Sequence, residues 1–276
     1  MSAIAADAVV APLPSRALVR LGGPDWRSFL QGLITQDVDS LEPGEARFAA
    51  LLTPQGRLLY DLIVAGLDDG AWLDVAAAAR EALVQRLKLY RLRAKVDIAA
   101  DDAPVTALFG PRATAPSGPG WFADPRLPVL GWRGYGAEPP ADASAGTEAD
   151  YETWRLSVGA PGLADWGVEK TYPIEANFDL LGGIDFKKGC FVGQETTSRM
   201  KRRGQIRNRM MPIAFDGPAP PAGTEVLAGS LRAGEVLSGV DGRAMALLRL
   251  DRIEGAELTV DGRPVRVERP AWIADA

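Results

Sequence analysis

The residues that could do chemistry are concentrated in one short run, residues 187–196, which reads KKGCFVGQET. It holds Cys190, the single cysteine among 276 residues, between Gly189 and Gly193. A cysteine thiolate is a nucleophile and a metal ligand. Glycine on either side allows a positive φ or a close approach of the backbone to a ligand. The alternative is a turn that enters a helix and buries a free cysteine, since cysteine is often a small core residue.

Positive charge surrounds this run, although the net charge of the chain is −5. Residues 187–209 contain eight basic side chains and one acidic side chain, Glu195. A helix that begins after the second glycine would add its unpaired N–H groups to the charges of Lys187 and Lys188, and together they favour a thiolate at Cys190. The same arrangement favours an anionic ligand or an anionic partner surface.

The composition excludes several classes of function. The chain has no histidine, which removes Ser-His-Asp and Cys-His catalysis and most zinc sites, so we expect no metal site. A single cysteine excludes an intramolecular disulfide and indicates a reducing compartment. We find no apolar run of membrane-spanning length, and the lack of a basic residue before Arg16 is unlike a signal or transit peptide. Net acidity argues against direct nucleic-acid binding.

The elements that must position the cysteine run can be read from periodicity. Apolar residues recur at helical spacing from Trp26 to Ile34, which predicts an amphipathic helix. Residues 48–52 and 58–64 predict a hairpin around the turn TPQG. Its second strand carries Asp61 among apolar residues, so this acid is either on a solvent-facing side or a buried functional group.

The rest of the chain divides into two further segments. Residues 101–147 are rich in glycine and proline and open a second lobe, whose predicted helix over 151–158 carries Arg155 after an N-cap at Asp150. A short helix is predicted over 173–181. From residue 209 onward, short strands and turns, including an Asp-Gly hairpin at 261–262, predict an antiparallel barrel. We therefore predict an α+β chain with three domains: residues 1–100, 101–204 and 205–276.

Residues 188–195, KGCFVGQE, resemble the K-G-C-[FY]-x-G-Q-E signature of the YgfZ family. Residues 23–38, residues 52–57 (LTPQGR) and residues 90–96 (YRLRAKV) are similar to other blocks of that family. The likeness covers nearly the whole chain, and the octapeptide is its most specific part. The resemblance implies a folate-binding protein that is related in fold to the glycine-cleavage T-protein.

The resemblance also implies an architecture and a role. The fold would be a T-protein-like three-domain ring, with two α/β sandwich lobes, a C-terminal antiparallel β-barrel, and tetrahydrofolate or a one-carbon derivative in the central hole. The role would be assembly or repair of iron–sulfur clusters, in support of [4Fe–4S] enzymes that include tRNA-modifying ones. The partners would be assembly proteins or client apo-enzymes, in the bacterial cytoplasm or, in a eukaryote, the mitochondrial matrix.

Site residues follow from the same resemblance. Cys190 would be the reactive group, as thiolate nucleophile, one-carbon acceptor or transient cluster ligand. Lys188 and Arg199 would hold anionic groups such as the glutamate tail of folate. The pterin cavity would be lined by Gln194, Glu195, Asp61 and Arg155.

Two other functions stay open. One is a folate-dependent aminomethyl or one-carbon transferase of the T-protein type. T-proteins have an Asp-Asp pair where this chain has Tyr60 and Asp61, and they lack the cysteine signature, so this chain departs from them in both features. The other is a binding module whose basic stripe, residues 199–209, docks a protein or RNA.

Overall fold

A computed structural model describes residues 8–204 and 206–273, with only the backbone of Arg203. Its first sheet is antiparallel and lies within residues 16–101, in the order β3-β4-β5-β2-β6. The strands are β2 (Arg16–Gly22), β3 (Ala46–Leu52), β4 (Leu58–Leu67), β5 (Gly70–Ala76) and β6 (Asp97–Asp101). The predicted hairpin is confirmed by the pairing of β3 with β4.

Two helices pack on this sheet, α1 (Trp26–Gln31) and α2 (Arg80–Arg91). Leu30 of α1 and Leu83 and Leu87 of α2 are fully buried in the hydrophobic cluster that these helices share with the strands. Helix α1 ends earlier than its apolar periodicity predicts, because the chain leaves the helix at Gly32 and Ile34 then pairs with Leu51 as an isolated bridge. Ile34 is still buried, so the periodicity identified the core face correctly.

The second sheet combines the N-terminal strand with the middle of the chain. Its order is β10-β1-β7-β9-β8, and only the β1–β10 pair is parallel. The strands are β1 (Val9–Pro12), β7 (Val105–Phe109), β8 (Trp121–Ala123), β9 (Trp132–Tyr135) and β10 (Ser144–Ala145). Strand β1 therefore crosses the predicted boundary at residue 100, because its hydrogen-bonding partners belong to the second lobe.

Helix α3 (Glu148–Ser157) lies on this second sheet and begins earlier than predicted. Its N-cap is Thr147 and not Asp150. The Asp150 carboxylate accepts from the Thr147 backbone N–H at 2.9 Å, while the Thr147 side chain accepts from the Asp150 N–H at 3.3 Å. This reciprocal pair is a capping box, and it assigns Asp150 to the third helical position.

The predicted helix over 173–181 is wrong, since the segment forms consecutive turns. Asn177 has a φ of 61°, which a helix cannot accommodate. Its side chain is held instead by the barrel: the amide donates to the Met210 carbonyl at 2.7 Å and accepts from Arg209 at 3.0 Å.

The C-terminal part forms a closed antiparallel barrel in the order β11-β14-β13-β12-β15-β16, as predicted. Its strands are β11 (Asn208–Ala214), β12 (Glu225–Ala228), β13 (Leu231–Val240), β14 (Arg243–Arg249), β15 (Leu258–Val260) and β16 (Arg263–Val267). Helix α4 (Gln194–Arg203) precedes it and α5 (Leu250–Ile253) follows β14. Asp261 and Gly262 both have positive φ between β15 and β16, which confirms the Asp-Gly hairpin.

One hydrophobic cluster joins the first sheet, helix α3 and the barrel. Phe48 of β3, Leu156 of α3, Met210 of β11 and Met245 of β14 share it with Phe191 of the cysteine run. The residue that follows Cys190 is thus fixed in the core between the lobes. Within the described residues, no helix is both long enough and apolar enough to span a membrane.

Candidate functional site

Cys190 is exposed, which excludes the alternative of a buried cysteine. The adjacent Phe191 is only 7% exposed and packs in the cluster between the lobes. Because Phe191 is fixed in the core, the loop holds the thiol of the preceding residue at the surface. We call residues 185–193 the cysteine loop.

The cysteine loop ends in a close contact between two glycines. Gly193, the N-cap of α4, has a φ of 81°, and a Cβ there would lie 2.6 Å from the Thr53 carbonyl oxygen. A Cβ on Gly56, in the turn of the β3–β4 hairpin, would lie 2.9 Å from the Thr196 Cβ. Helix α4 therefore begins directly against the hairpin turn, where only glycine leaves room.

Lys188 anchors the other end of the cysteine loop. Its Nζ donates to the carbonyl oxygens of Gln31, Ile34 and Gln36, each at 2.8 Å. An ammonium has three donors, so all of them are used at the C-terminal end of α1. This geometry assigns Lys188 to positioning the loop, and it leaves no N–H for the folate tail that the sequence predicted.

Burial and the nearby carboxylates have opposite effects on the pKa of Lys188. Burial lowers its pKa to about 8, against the opposing effect of the nearby carboxylates of Asp37, Asp185 and Asp39. The ammonium form therefore still predominates at neutral pH. Asp185 also shapes the loop directly, because its Oδ1 accepts from the backbone N–H groups of Lys187 at 2.7 Å and Lys188 at 3.2 Å.

Asp61 and Arg155 lie elsewhere, in a central cavity between the sheets and α3. Its lining includes the rings of Phe48, Tyr151 and Trp166. Asp61 is buried, which excludes the solvent-facing alternative, and its Oδ2 accepts from Arg16 Nη1 at 2.6 Å. We call this space the central cavity.

All three guanidinium nitrogens of Arg155 donate hydrogen bonds to protein acceptors. Its Nη1 donates to Asp165 Oδ2 and to the Ala160 carbonyl, both at 2.7 Å, and its Nη2 donates to Glu152 Oε2 at 2.6 Å. Arg155 and Asp165 are both almost completely buried. Arg155 thus ties α3 to the loop that follows it, a role that a lone arginine on a predicted helix does not reveal.

Sequence reasoning missed a buried network at this cavity. It consists of Arg16, Asp74, Asp124, Arg126 and Arg133. Asp74 accepts from Arg16 Nε at 2.6 Å, and Asp124 accepts from Arg126 Nη2 at 2.6 Å. Arg126 and Asp124 are only two positions apart, Arg16 and Asp74 lie on paired strands of the first sheet, and the contact of Asp74 with Arg133 links the two sheets. The sequence does not show that these charges are buried, because their burial depends on how the two sheets pack.

Charge pairing decides the protonation of this network. Burial raises the pKa of Asp124, but Arg126 and then Arg133 outweigh it, so that the pKa falls to about 2. Burial lowers the pKa of Arg16, but Asp61 and Asp74 raise it above its ordinary value. Among the described residues, Arg133 Nη1 is a buried donor without a hydrogen-bond acceptor, 3.8 Å from Asp74 Oδ2.

The central cavity does not fit tetrahydrofolate in this arrangement. Its volume is about 30 Å³, which is the space of about one water molecule, whereas ligand pockets span roughly 300–1,000 Å³. Asp61 and Arg155 already have protein partners, and Arg133 Nη1 is the one buried donor left over within the described residues. In this arrangement the central cavity therefore has no room for a pterin.

The remaining predicted residues lie along α4. Gln194 is half-buried, and Glu195 and Arg199 are exposed. Arg199 lines a separate cavity of about 600 Å³ with Tyr172, Met200 and Arg207. Lys188 and Cys190 thus lie on the cysteine loop and Gln194 begins α4 directly after it. Arg199 does not line the central cavity that holds Asp61 and Arg155. No cluster of three potential metal-binding side chains occurs within residues 8–204 and 206–273.

Comparison with known proteins agrees with the fold. Residues 4–115 match the family model of the GCVT N-terminal domain, and residues 207–275 match that of the CAF17 C-terminal beta-barrel domain. A crystal structure of glycine cleavage system aminomethyltransferase T from Bartonella henselae superposes with a TM-score of 0.77 at 19% identity. The match covers 98% of this chain and 87% of that one, which confirms the predicted T-protein-like fold.

Three relatives of similar sequence show which family the chain belongs to. The mitochondrial iron–sulfur cluster assembly factor IBA57 of Mus musculus is 32% identical over 88% of this chain and 78% of its own length. The Homo sapiens protein of that name is 31% identical with the same coverage, and a homologue in Pyricularia oryzae is 33% identical over 91% of this chain and 74% of its own length. The chain belongs to the IBA57 family of T-protein-like iron–sulfur cluster assembly factors.

Proposed function

We propose that this chain acts in the assembly or repair of iron–sulfur clusters and that Cys190 is its reactive residue. The observation that carries the proposal is an exposed thiol on a loop that is fixed at three points. Lys188 holds it to α1, Phe191 holds it in the core between the lobes, and Gly193 holds it to the hairpin turn. A thiol that is presented at the surface in a fixed position suits transfer chemistry between proteins better than it suits packing.

The chemistry of the thiol limits its role. Among the three roles considered, the transient cluster ligand agrees best with the geometry, because an exposed sulfur can reach a cluster on a second protein. One cysteine supplies one ligand, and iron–sulfur clusters are usually held by several thiolates, so the remaining ligands would come from the partner. The thiol must lose its proton to bind iron, while Lys188 keeps the loop in place and takes no part in the transfer.

The test is complementation in cells of the source species that lack the chromosomal gene. We expect Cys190→Ser to abolish support of a [4Fe–4S] enzyme, measured as its activity against the amount of its polypeptide. Lys187→Arg, which keeps the charge at an exposed position of the same loop, is the matched control and should behave as wild type. Full enzyme activity with Cys190→Ser would refute the role of the thiol.

Tetrahydrofolate is a separate part of the proposal, supported by the YgfZ resemblance and by the T-protein-like fold. Binding requires the central cavity to open, since its residues do not fit a pterin as they stand. Titration calorimetry with tetrahydrofolate tests this point, and Phe48→Trp, which fills the cavity further, should weaken any binding. Heat that does not saturate would refute a folate site, and the role of Cys190 would be unaffected.

The aminomethyltransferase alternative rests on the fold alone. Asp61 is the one acid left where T-proteins have two, and here it is paired with Arg16 in a cavity of about 30 Å³. Transfer from an aminomethyl carrier that survives Cys190→Ser and is lost in Asp61→Asn would favour this alternative.

Two further points belong to the proposal of iron–sulfur cluster assembly. They are the support of tRNA-modifying enzymes, and a site of action in the bacterial cytoplasm or in the mitochondrial matrix of a eukaryote.

A further inference from the structure

The turn between α2 and β6 exposes leucine side chains in a basic surrounding. Leu92 is 88% exposed and Leu89 is 77% exposed, the two highest values for large hydrophobic residues in the part of the chain that the structure describes. Residues 82–96 contain five basic side chains and no acidic one. Single exposed leucines are common, but two within one helical turn among cations form a patch that needs a reason. We call residues 88–95 the leucine turn.

The backbone of the leucine turn is strained at the residue that is most exposed. Leu92 has φ 44° and ψ −106°, and the Ala94 N–H donates to the Arg91 carbonyl at 2.8 Å. These are the features of the second position of a type II′ turn, where glycine is the normal residue. The chain therefore carries a bulky side chain at a position that disfavours it, and packing does not explain the choice because Leu92 is in solvent.

The strained turn is held rigidly by α1. Asp25 Oδ2 accepts from the Lys95 backbone N–H at 2.8 Å, and the Asp25 N–H donates to the Lys95 carbonyl at 3.3 Å. A Cβ on Gly23 would lie 2.5 Å from that carbonyl oxygen, so the two segments are in close contact. A rigid turn presents Leu92 in one orientation, which lowers the entropy cost of binding.

The same short helix connects the leucine turn with the cysteine loop. Asp25, the N-cap of α1, holds the turn, and Gln31, the last residue of α1, accepts from Lys188. A helix of six residues is roughly 9 Å long. The segments that anchor the leucine turn and the cysteine loop are therefore one short helix apart, a span that a single docked protein can cover.

We infer that the leucine turn is a docking surface for an acidic protein whose cluster or apo-site meets Cys190. The inference rests on the proposed function for the identity of this partner as an iron–sulfur protein. Lys88, Arg93 and Lys95 are exposed and have no ion-pair partner among the described residues, so they select a negatively charged surface. Leu89 and Leu92 are the apolar anchors that an apolar pocket of the partner buries.

An anionic membrane is the less favoured occupant. The helix face of Leu89 continues through Gln85 to Glu81, which are exposed and bonded to each other at 2.6 Å, and an acid on this face opposes contact with anionic lipid. The opposite face, with Leu83, Val84 and Leu87, is buried against the sheet. Two leucines are also a smaller apolar face than interfacial helices use.

The decisive variant is Leu92→Gly, because the two roles of Leu92 predict opposite effects. Glycine relieves the strained turn, so the melting temperature should stay the same or rise. Loss of the apolar anchor should lower support of a [4Fe–4S] enzyme about tenfold in cells that lack the chromosomal gene. Leu231→Gly, at a leucine that is 61% exposed on the barrel, is the matched control and should leave enzyme activity unchanged.

A photo-crosslinking amino acid in place of Leu92 identifies the class of the partner. When the rest of the chain is wild type, we expect an adduct with an acidic protein. The adduct should be lost when the same chain also carries Arg93→Glu. An adduct with RNA or with a second copy of this chain, or cosedimentation with phosphatidylglycerol vesicles that depends on Leu92, would overturn the inference.

Cys190→Ser separates the two proposals. If Cys190→Ser abolishes enzyme support and Leu92→Gly retains all of it, the docking surface is refuted and the proposed function stands. If Cys190→Ser retains full support, the proposed function is refuted.

Discussion

Lys188 gives the most specific prediction about the cysteine loop. Replacement by Met keeps the length of the side chain and removes three donors from the carbonyl oxygens of Gln31, Ile34 and Gln36. A hydrogen bond to a charged group contributes about 1.5–3 kcal/mol when it is buried. Lys188 is half-buried, so water can replace part of this loss, and we expect Lys188→Met to lower the free energy of unfolding by about 2 kcal/mol.

The effect should be strongest in the loop itself. A local loss of about 2 kcal/mol corresponds to roughly thirtyfold faster opening-limited exchange of the amides in residues 185–192, measured by hydrogen exchange and mass spectrometry. Lys188→Arg should give an intermediate result, because a planar guanidinium cannot converge on three carbonyl oxygens as an ammonium does.

Lys187→Met is the matched control for this experiment. Lys187 is exposed and adjacent to Lys188, so its replacement should change the free energy of unfolding by less than about 0.5 kcal/mol. Equal effects of the two methionine variants, or unchanged exchange in Lys188→Met, would refute the reasoning that the carbonyl contacts hold the loop.

Three further predictions concern stability. The pKa of Asp124 is about 2 in the folded chain, against 3.8 ordinarily. This difference contributes about 2 kcal/mol to the free energy of unfolding above pH 4, and the contribution is lost as the pH falls to 2. Asp124→Asn should flatten this part of the pH dependence, measured by urea unfolding. Gly193→Ala should cost about 2 kcal/mol or more in unfolding free energy, whereas Gly204→Ala, equally left-handed but without neighbours, should cost only about 1 kcal/mol. Arg155→Met should destabilise the chain by about 3 kcal/mol, because Asp165 would remain buried without its partner; a smaller loss in thermal unfolding would contradict this structural role.

Local chemistry explains the elements that were predicted correctly. The apolar spacing of residues 26–34 identified the core face of α1, and Asp261 with Gly262 specified the last hairpin of the barrel, because both signals act between neighbouring residues. The helix predicted over residues 173–181 failed for the opposite reason. Asn177 leaves the helical region to bond with Met210 and Arg209 of the barrel, which are more than thirty positions away.

The candidate site divides in the same way. Sequence alone singled out Cys190 as the candidate reactive group and placed positive charge around it, since one cysteine and a run of cations are visible without a fold. It assigned Lys188, Asp61 and Arg155 to a ligand, whereas the folded chain gives each of them protein partners. The alternatives for Asp61 could not be resolved by strand alternation, because Arg16 comes from another strand.

The sequence by itself determined the chemical inventory of this protein: one thiol, no imidazole, a basic segment beside the thiol, and around it a run that resembles the YgfZ signature. Only the tertiary structure decided which of these groups are free to act. Cys190 is free because Phe191 is buried beside it, and Lys188 is not free because its ammonium is bound at the end of α1. The physical reason is that burial and hydrogen bonding between distant segments, and not residue type, set whether a polar group meets solvent or the protein.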